Sequence, residues 1–272
     1  MLPNFLILGA QKSGTTSLSR WLRRHPDVYL PPEKELHHFS KRSRDDEVYR
    51  HAFAGVTRPA VGEATPDYLY YPWVAAAVRE LLGPETRCVA IVRNPIDRAY
   101  SHYWHGRRLG HITTSFEQEL ANEDRQLARE ESPGWHSLVD RGRYVRQLQR
   151  FERRFGREQL HVELFDDLVG DSAGTTQRVL TFIGVDPAAF EAPKRYLPFN
   201  PARRSKLPPI GARQIARLRV GSPTRRWLNR QTTEVFVPPP MAAATRERLR
   251  EQFAPEVEAL AAWLGRDLAA WT

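Results

Sequence analysis

A chain of 272 residues, 41% hydrophobic and 27% charged, can bury a sizeable core, and its ordinary globular balance excludes collagen-like, disulfide-scaffold and largely disordered classes. Lys plus Arg outnumber Asp plus Glu by 41 to 32, a net charge of +9, and only five of the basic residues are lysine; the excess suits anionic ligands, or an arginine-rich solvated surface. A single cysteine, Cys88, excludes an intrachain disulfide, no apolar run nears the roughly 18 residues of a spanning helix, and Leu2–Gly9 lacks a signal peptide's basic leader and cleavage site, so a soluble, cytoplasmic protein is expected.

The elements alternate along the chain. Phe5–Leu8 is a short apolar run, expected as a buried strand. Thr15–Arg24 places Leu18, Trp21 and Leu22 at helical spacing. The stretch Lys41–Glu47 is a charge run and reads as a solvated loop. Trp73–Leu82 reads as a helix stopped by Gly83-Pro84, Cys88–Val92 as a fully apolar strand, and Pro95–Arg107 as a helix. Phe116–Arg129 and Tyr144–Phe155 are amphipathic. Leu160–Phe165 is a strand and Thr175–Ile183 a helix closed by Gly184. Residues Ala192–Pro209 have no period and are rich in Pro, Lys and Arg, as surface loops and lids are. Arg246–Leu264 resumes helical spacing. Strands without a polar face, alternating with helices, predict an α/β fold: a P-loop-like, three-layer arrangement with a central parallel sheet flanked by helices. One domain over 1–272 is expected, with 192–240 as a basic cap. The tryptophans outside the first helix are expected to pack, as are Tyr100, Tyr103 and Trp104.

The first strand runs into Gly9-Ala10-Gln11-Lys12-Ser13-Gly14-Thr15-Thr16 and then a helix. Glycines allow a tight turn whose amides converge on anionic oxygens, and the helix N-terminus, Lys12 and two threonine hydroxyls complete a phosphate cradle. Gly9 and Gly14 have the spacing of a Walker A loop, but Thr15 stands where that motif has its lysine. The strand Cys88–Val92 ends in Arg93, where a magnesium-dependent NTPase needs an aspartate. Arg93 at the C-terminal end of a sheet strand suits a second anion. Asn94, Pro95 and Asp97 form a capping pattern for the next helix.

These residues resemble a family, the sulfotransferases that use 3′-phosphoadenosine-5′-phosphosulfate (PAPS), and within it the heparan-sulfate sulfotransferases and their soluble bacterial relatives. Phe5–Ser17 is similar to the 5′-phosphosulfate loop and Val89–Tyr103 to the 3′-phosphate strand–helix element. His25-Pro26-Asp27 with Lys34–Phe39 resembles the acceptor-side segment that follows the first helix, and Gly62–Tyr68 resembles the family's Glu-x-Ser/Thr-Pro-x-Tyr segment. The resemblance implies PAPS as sulfuryl donor and PAP as product, with no metal required. It implies Gln11, Lys12, Ser13, Gly14, Thr15 and Thr16 around the 5′-phosphosulfate, with Lys12 meeting its charge. It implies Arg93 and Ser101 at the 3′-phosphate, Arg203 and Arg204 in a late basic loop over the nucleotide, and Glu35 or neighbouring His37 as the base. An extended segment would put Glu35 and His37 on one face, with His38 turned away to pack. Ala64 stands where the heparan-sulfate branch has a lysine, which speaks against the same anionic polysaccharide.

Sulfuryl transfer is mostly positioning and electrostatics: charge builds on the leaving phosphate oxygen, and the acceptor must give up a proton. The expected acceptor is a small molecule, glycolipid or saccharide with a free hydroxyl or amine, and no nucleic-acid partner is expected. Two alternatives from other classes are an atypical P-loop kinase or NTPase and a non-enzymatic polyanion-binding protein using the pairs Arg23-Arg24, Arg107-Arg108, Arg203-Arg204 and Arg225-Arg226.

Overall fold

A computed structural model describes residues 2–32, 35–127, 136–191, 203–218 and 223–272. In chain order the elements are β1 (Phe5–Gly9), α1 (Thr15–Leu22), β2 (Val28–Tyr29), α2 (Asp46–His51), β3 (Ala60–Ala64), α3 (Val74–Leu82), β4 (Arg87–Val92), α4 (Pro95–Leu109), α5 (Phe116–Leu127), α6 (Tyr144–Phe155), β5 (Leu160–Leu164), α7 (Phe165–Gly170), α8 (Ser172–Ile183), β6 (Arg203–Ser205), α9 (Pro209–Ala216), α10 (Pro223–Thr232), β7 (Thr233–Val235) and α11 (Ala243–Leu264). The chain divides into two compact units, residues 1–93 with 145–199, and residues 94–144 with 200–272.

The first unit is built on a five-stranded sheet of order β2-β3-β1-β4-β5, parallel throughout and flanked by helices, as the apolar runs predict. Every residue of β1 and β3 is buried. Phe5 and Ile7 of β1, Val89 and Ile91 of β4, Leu18, Trp21 and Leu22 of α1, and Val179, Leu180 and Ile183 of α8 form one apolar cluster on one face of the sheet. Each such side chain contributes about 1.5–3 kcal/mol through burial, which is what holds the strand ends in place. Leu6, Leu8, Cys88 and Val92, of opposite parity, are also fully buried.

In the second unit, Asn94 caps α4: its side-chain oxygen accepts from the amides of Ile96 (3.0 Å) and Asp97 (3.4 Å), as the Asn-Pro pattern predicts. Arg246 of α11 pairs with Asp97 at 2.7 Å, and the fully buried Arg98 donates to the Leu138 carbonyl. Tyr100, Tyr103, Trp104 and Phe116 form an aromatic cluster.

Several expectations change. β2 and β3 were not foreseen. The charge run Lys41–Glu47 is not wholly a loop, because Asp45 caps α2 by accepting from the Glu47 and Val48 amides, and Tyr49 on that helix is buried. Phe165 starts α7 rather than ending β5. The aperiodic stretch contains β6, and α9 begins at Pro209; residues 192–202 of it lie outside the described residues, as does Trp135. Trp227 does not pack: it is 60% exposed on α10. Among the described residues no helix is long and apolar enough to cross a membrane.

Candidate active site

β1, β3 and β4 run parallel, so their C-terminal ends open on one edge of the sheet, where the candidate residues of the first unit collect. The loop after β1 leaves through Gly9, at φ +153°; a Cβ there would stand 2.8 Å from the Pro66 carbonyl and 3.0 Å from Leu69 Cβ. Only glycine lets the loop after β1 lie against the turn after β3. The Leu69 amide donates to Leu8 O (2.8 Å) and the Ala10 amide to Ile91 O (2.7 Å), tying that loop to both neighbours. Gly14, at φ +88°, is the N-cap of α1, and a Cβ there would meet Leu168 Cδ2 at 2.7 Å.

Between these glycines the polar groups turn inward. Ser13 is fully buried, and both its Oγ and the Gln11 Oε1 are buried without a partner. Orphaned buried oxygens of this kind mark a place where a ligand's polar groups belong. Lys12 takes a left-handed backbone, φ +73°. Arg93, half-buried at the end of β4, donates from Nη1 to the Lys12 carbonyl at 3.3 Å, and its guanidinium lies over the Phe165 ring at 4.7 Å. The structure thus brings the second predicted anion ligand to the first.

The acceptor-side segment hangs from the end of β3. Glu63 is buried and accepts from the hydroxyls of Tyr49 (2.8 Å), Thr65 (2.6 Å) and Tyr68 (2.8 Å). Burial pushes its carboxyl above the ordinary value, against the pull of those three donors and of His37. Thr65 and Tyr68 each spend their proton on Glu63 and accept a backbone amide in return: His37 N donates to Thr65 Oγ1 (3.3 Å) and Phe39 N to Tyr68 Oη (3.2 Å). Trp73 Nε1 donates to Phe39 O at 3.1 Å.

On this support Glu35 and His37 face each other, Nε2 to Oε2 at 3.5 Å, while Asp67 approaches the other ring nitrogen, Nδ1 to Oδ2 at 3.7 Å. The predicted proximity is present, but not through an extended strand: Glu35 (φ +70°) and His37 (φ +54°) are both left-handed, which turns the two side chains together over a short loop. For His37, burial is the largest single influence and lowers its pKa. The Glu35 pairing and the charges of Asp67, Glu35 and Glu63 outweigh it, so the net direction is upward. His38 turns away as expected, stacking on Tyr49 with centroids 4.2 Å apart and bonding Asp46 at 2.9 Å.

Among the described residues the non-glycine positions at positive φ are Lys12, Glu35 and His37. Such backbones are disfavoured by about 1–3 kcal/mol each and cluster where function demands them. Glu63, Thr65 and Tyr68 are the fixed positions of the Glu-x-Ser/Thr-Pro-x-Tyr resemblance, which carried no role for them, and nothing in the sequence singled out Asp67. Ser101 is half-buried on α4 in the second unit. Arg203 and Arg204 form β6, paired antiparallel with β7, and their side chains lie outside the described part, as does Lys34.

Three comparisons bear on this geometry. Residues 2–206 match the family model described as Sulfotransferase domain. Over the whole chain the fold is similar to the crystal structure of a sulfotransferase from Alicyclobacillus acidocaldarius, with a TM-score of 0.76 and 31% identity, covering 100% of this chain and 99% of that one. In sequence it is 29% identical over 192 residues to the mouse (Mus musculus) heparan sulfate glucosamine 3-O-sulfotransferase 3B1, 68% of this chain and 46% of that protein. It is 27% identical over 207 residues to the cattle (Bos taurus) bifunctional heparan sulfate N-deacetylase/N-sulfotransferase 2, 68% of this chain and 22% of that protein. The chain therefore spans less than half the length of these curated relatives. With the family model covering most of its length, and its P-loop-like α/β sheet shared with a bacterial sulfotransferase, the chain belongs to the sulfotransferase domain family.

Proposed function

We propose that this protein transfers a sulfuryl group from PAPS to a neutral hydroxyl or amine acceptor. The observation that carries the reading is the coincidence of strain with chemistry: among the described residues the left-handed non-glycine positions are Lys12 in the anion loop and Glu35 and His37 on the acceptor side. The buried, unpartnered Ser13 hydroxyl, which can donate, and the glycine-lined turn fit a phosphosulfate, with Thr15 and Thr16 at the start of α1. Bound PAPS would supply an electrophilic sulfur on a phosphate leaving group.

The chain's own residues do the rest. Lys12 neutralises the charge that builds on the leaving oxygen, and Arg93 holds the 3′-phosphate. Glu35 takes the proton from the acceptor as its lone pair forms the new bond to sulfur and the old bridging bond breaks toward phosphate. His37, on Glu35's flank, orients that carboxylate, Nε2 to Oε2 at 3.5 Å. Ser101, Arg203 and Arg204 enter from the resemblance alone and are to be tested singly.

Glu35, Asp67 and Glu63 make the acceptor side acidic, which supports a small molecule, glycolipid or saccharide without negative charge. Ala64, 4% exposed at the end of β3, adds no cation there. A bacterial, cytoplasmic setting, a metal-free reaction and a single domain over 1–272 with a basic cap at 192–240 belong to the same reading; the matched span 2–206 runs through segments of both compact units.

The test is calorimetric titration with PAP without magnesium beside ATP with magnesium, followed by assay of PAP release from PAPS with candidate alcohols and amines. Tight PAP binding that weakens in Arg93→Ala is expected. Preference for ATP with magnesium would overturn the reading.

A further inference from the structure

We propose that Asp67 is a positioning residue of the acceptor-side centre: its carboxylate holds the Nδ1 edge of His37, so that Nε2 is turned to Glu35 and the imidazolium braces that base. The inference rests on the sulfotransferase reading and adds a residue to it. Its ground is geometric. His37 lies between two carboxylates on different elements, Glu35 on its own loop at 3.5 Å and Asp67 in the turn after β3 at 3.7 Å. Both are charge-pair separations, long for hydrogen bonds, as catalytic contacts often are before a substrate closes them.

Asp67 is well placed to hold the ring. Its carboxylate is 19% exposed, against 32% for Glu35 and 34% for His37, so it is the most sheltered of the three. Its backbone is fixed: the Asp67 carbonyl accepts from the Tyr70 and Tyr71 amides at 3.1 and 3.4 Å, and the turn is anchored to β1 through Leu69 N and Leu8 O. The His37 backbone hangs from Thr65 in the same turn. The loop that carries Glu35 and His37 is thus pinned at the His37 amide to the same tethered turn that carries the Asp67 carboxylate.

The ionisable groups facing His37 among the described residues are Glu35 beside it, Glu63 on β3 and Asp67 after it. All three favour the charged imidazole. Its protonated form is therefore stabilised in the folded protein and is lost as pH rises through the raised value. Removing the Asp67 charge should bring that loss to lower pH.

The experiment is an NMR titration of the His37 ring in the free protein, for wild type, Asp67→Asn and Asp67→Glu, with steady-state kinetics on the same samples. In wild type the midpoint should lie above the ordinary imidazole value of about 6.5. In Asp67→Asn it should fall by roughly 0.5–1 unit. The alkaline limb of kcat should move with it, kcat should drop roughly tenfold, and PAP affinity should stay within about twofold of wild type, since only ring placement has changed. Asp67→Glu should recover part of the shift. A His37 midpoint unchanged in Asp67→Asn, or one at or below the ordinary value in wild type, overturns the proposal; the wild-type titration decides even if the variant does not fold. Failure of wild type to bind PAP would instead sink the sulfotransferase reading, and the ring titration would still judge Asp67.

Discussion

The two halves of the site are built by different means. The anion loop after β1 is made by backbone: Gly9 and Gly14 at positive φ, close packing that excludes a Cβ at either, and amides at the start of α1. The acceptor side is made by side chains from three separate stretches, with the buried Glu63 gathering hydroxyls that in turn hold the amides of His37 and Phe39. A ligand common to many reactions suits a cradle of main chain, which varies little. An acceptor particular to one reaction suits a cradle of side chains, which single substitutions can change.

Lys12→Ala should break the donor half most severely. Loss of the one flexible cation in the loop is expected to lower kcat roughly 10²–10³-fold, while PAP affinity, held by the backbone and by Arg93, falls far less. Arg93→Ala should do the reverse, weakening PAP with a smaller effect on turnover. Steady-state kinetics beside calorimetry separates them, and equal losses in both parameters for both variants would dissolve the distinction.

Glu35→Gln addresses the other half. Proton removal by a placed carboxylate is worth about 10²-fold or more, so kcat should fall by that order with donor binding intact. Unchanged turnover would pass the role of base to His37.

Gly14→Ala sharpens the claim that the cradle is backbone. The new Cβ would sit at φ +88° and 2.7 Å from Leu168. A stability loss of about 1–3 kcal/mol by urea unfolding and a marked fall in PAP affinity are expected. Wild-type values would mean the loop tolerates another shape.

This difference also sets what the sequence can tell. The strand–loop–helix at residues 5–22 is legible because its determinants are local: an apolar run, two glycines and a lysine within a few positions. Arg93 is legible for the same reason, at the end of an apolar strand before an Asn-Pro cap. β3 is opaque because Gly62 and Glu63 interrupt its apolar run. Gly62 is required there by the Phe5 ring, 2.2 Å from where its Cβ would stand, which no pattern within residues 60–64 could announce. Asp67 gains its meaning only from His37, thirty residues earlier. The amides of His37 and Phe39 are likewise held by Thr65 and Tyr68 from another element, which no pattern within residues 35–39 announces, so an extended segment is the local expectation there.

Glu63 gives the smallest and most diagnostic effect. Its carboxyl is raised by burial in the folded chain, so the fold binds that proton more tightly than the unfolded chain does. The associated stability is present below the ordinary carboxylate range and is lost as pH rises through the folded value. Wild type should therefore show a component of stability that declines across that window, measured as Tm against pH. Glu63→Gln should remove the decline, because nothing is left there to titrate. It should also lower kcat modestly, since an amide offers the three hydroxyls a neutral oxygen and an NH₂ that cannot accept, which loosens Thr65 and Tyr68 and with them the His37 loop. An identical pH slope in both proteins would mean that Glu63 titrates alike folded and unfolded, and that its burial does not set the pH dependence of the fold.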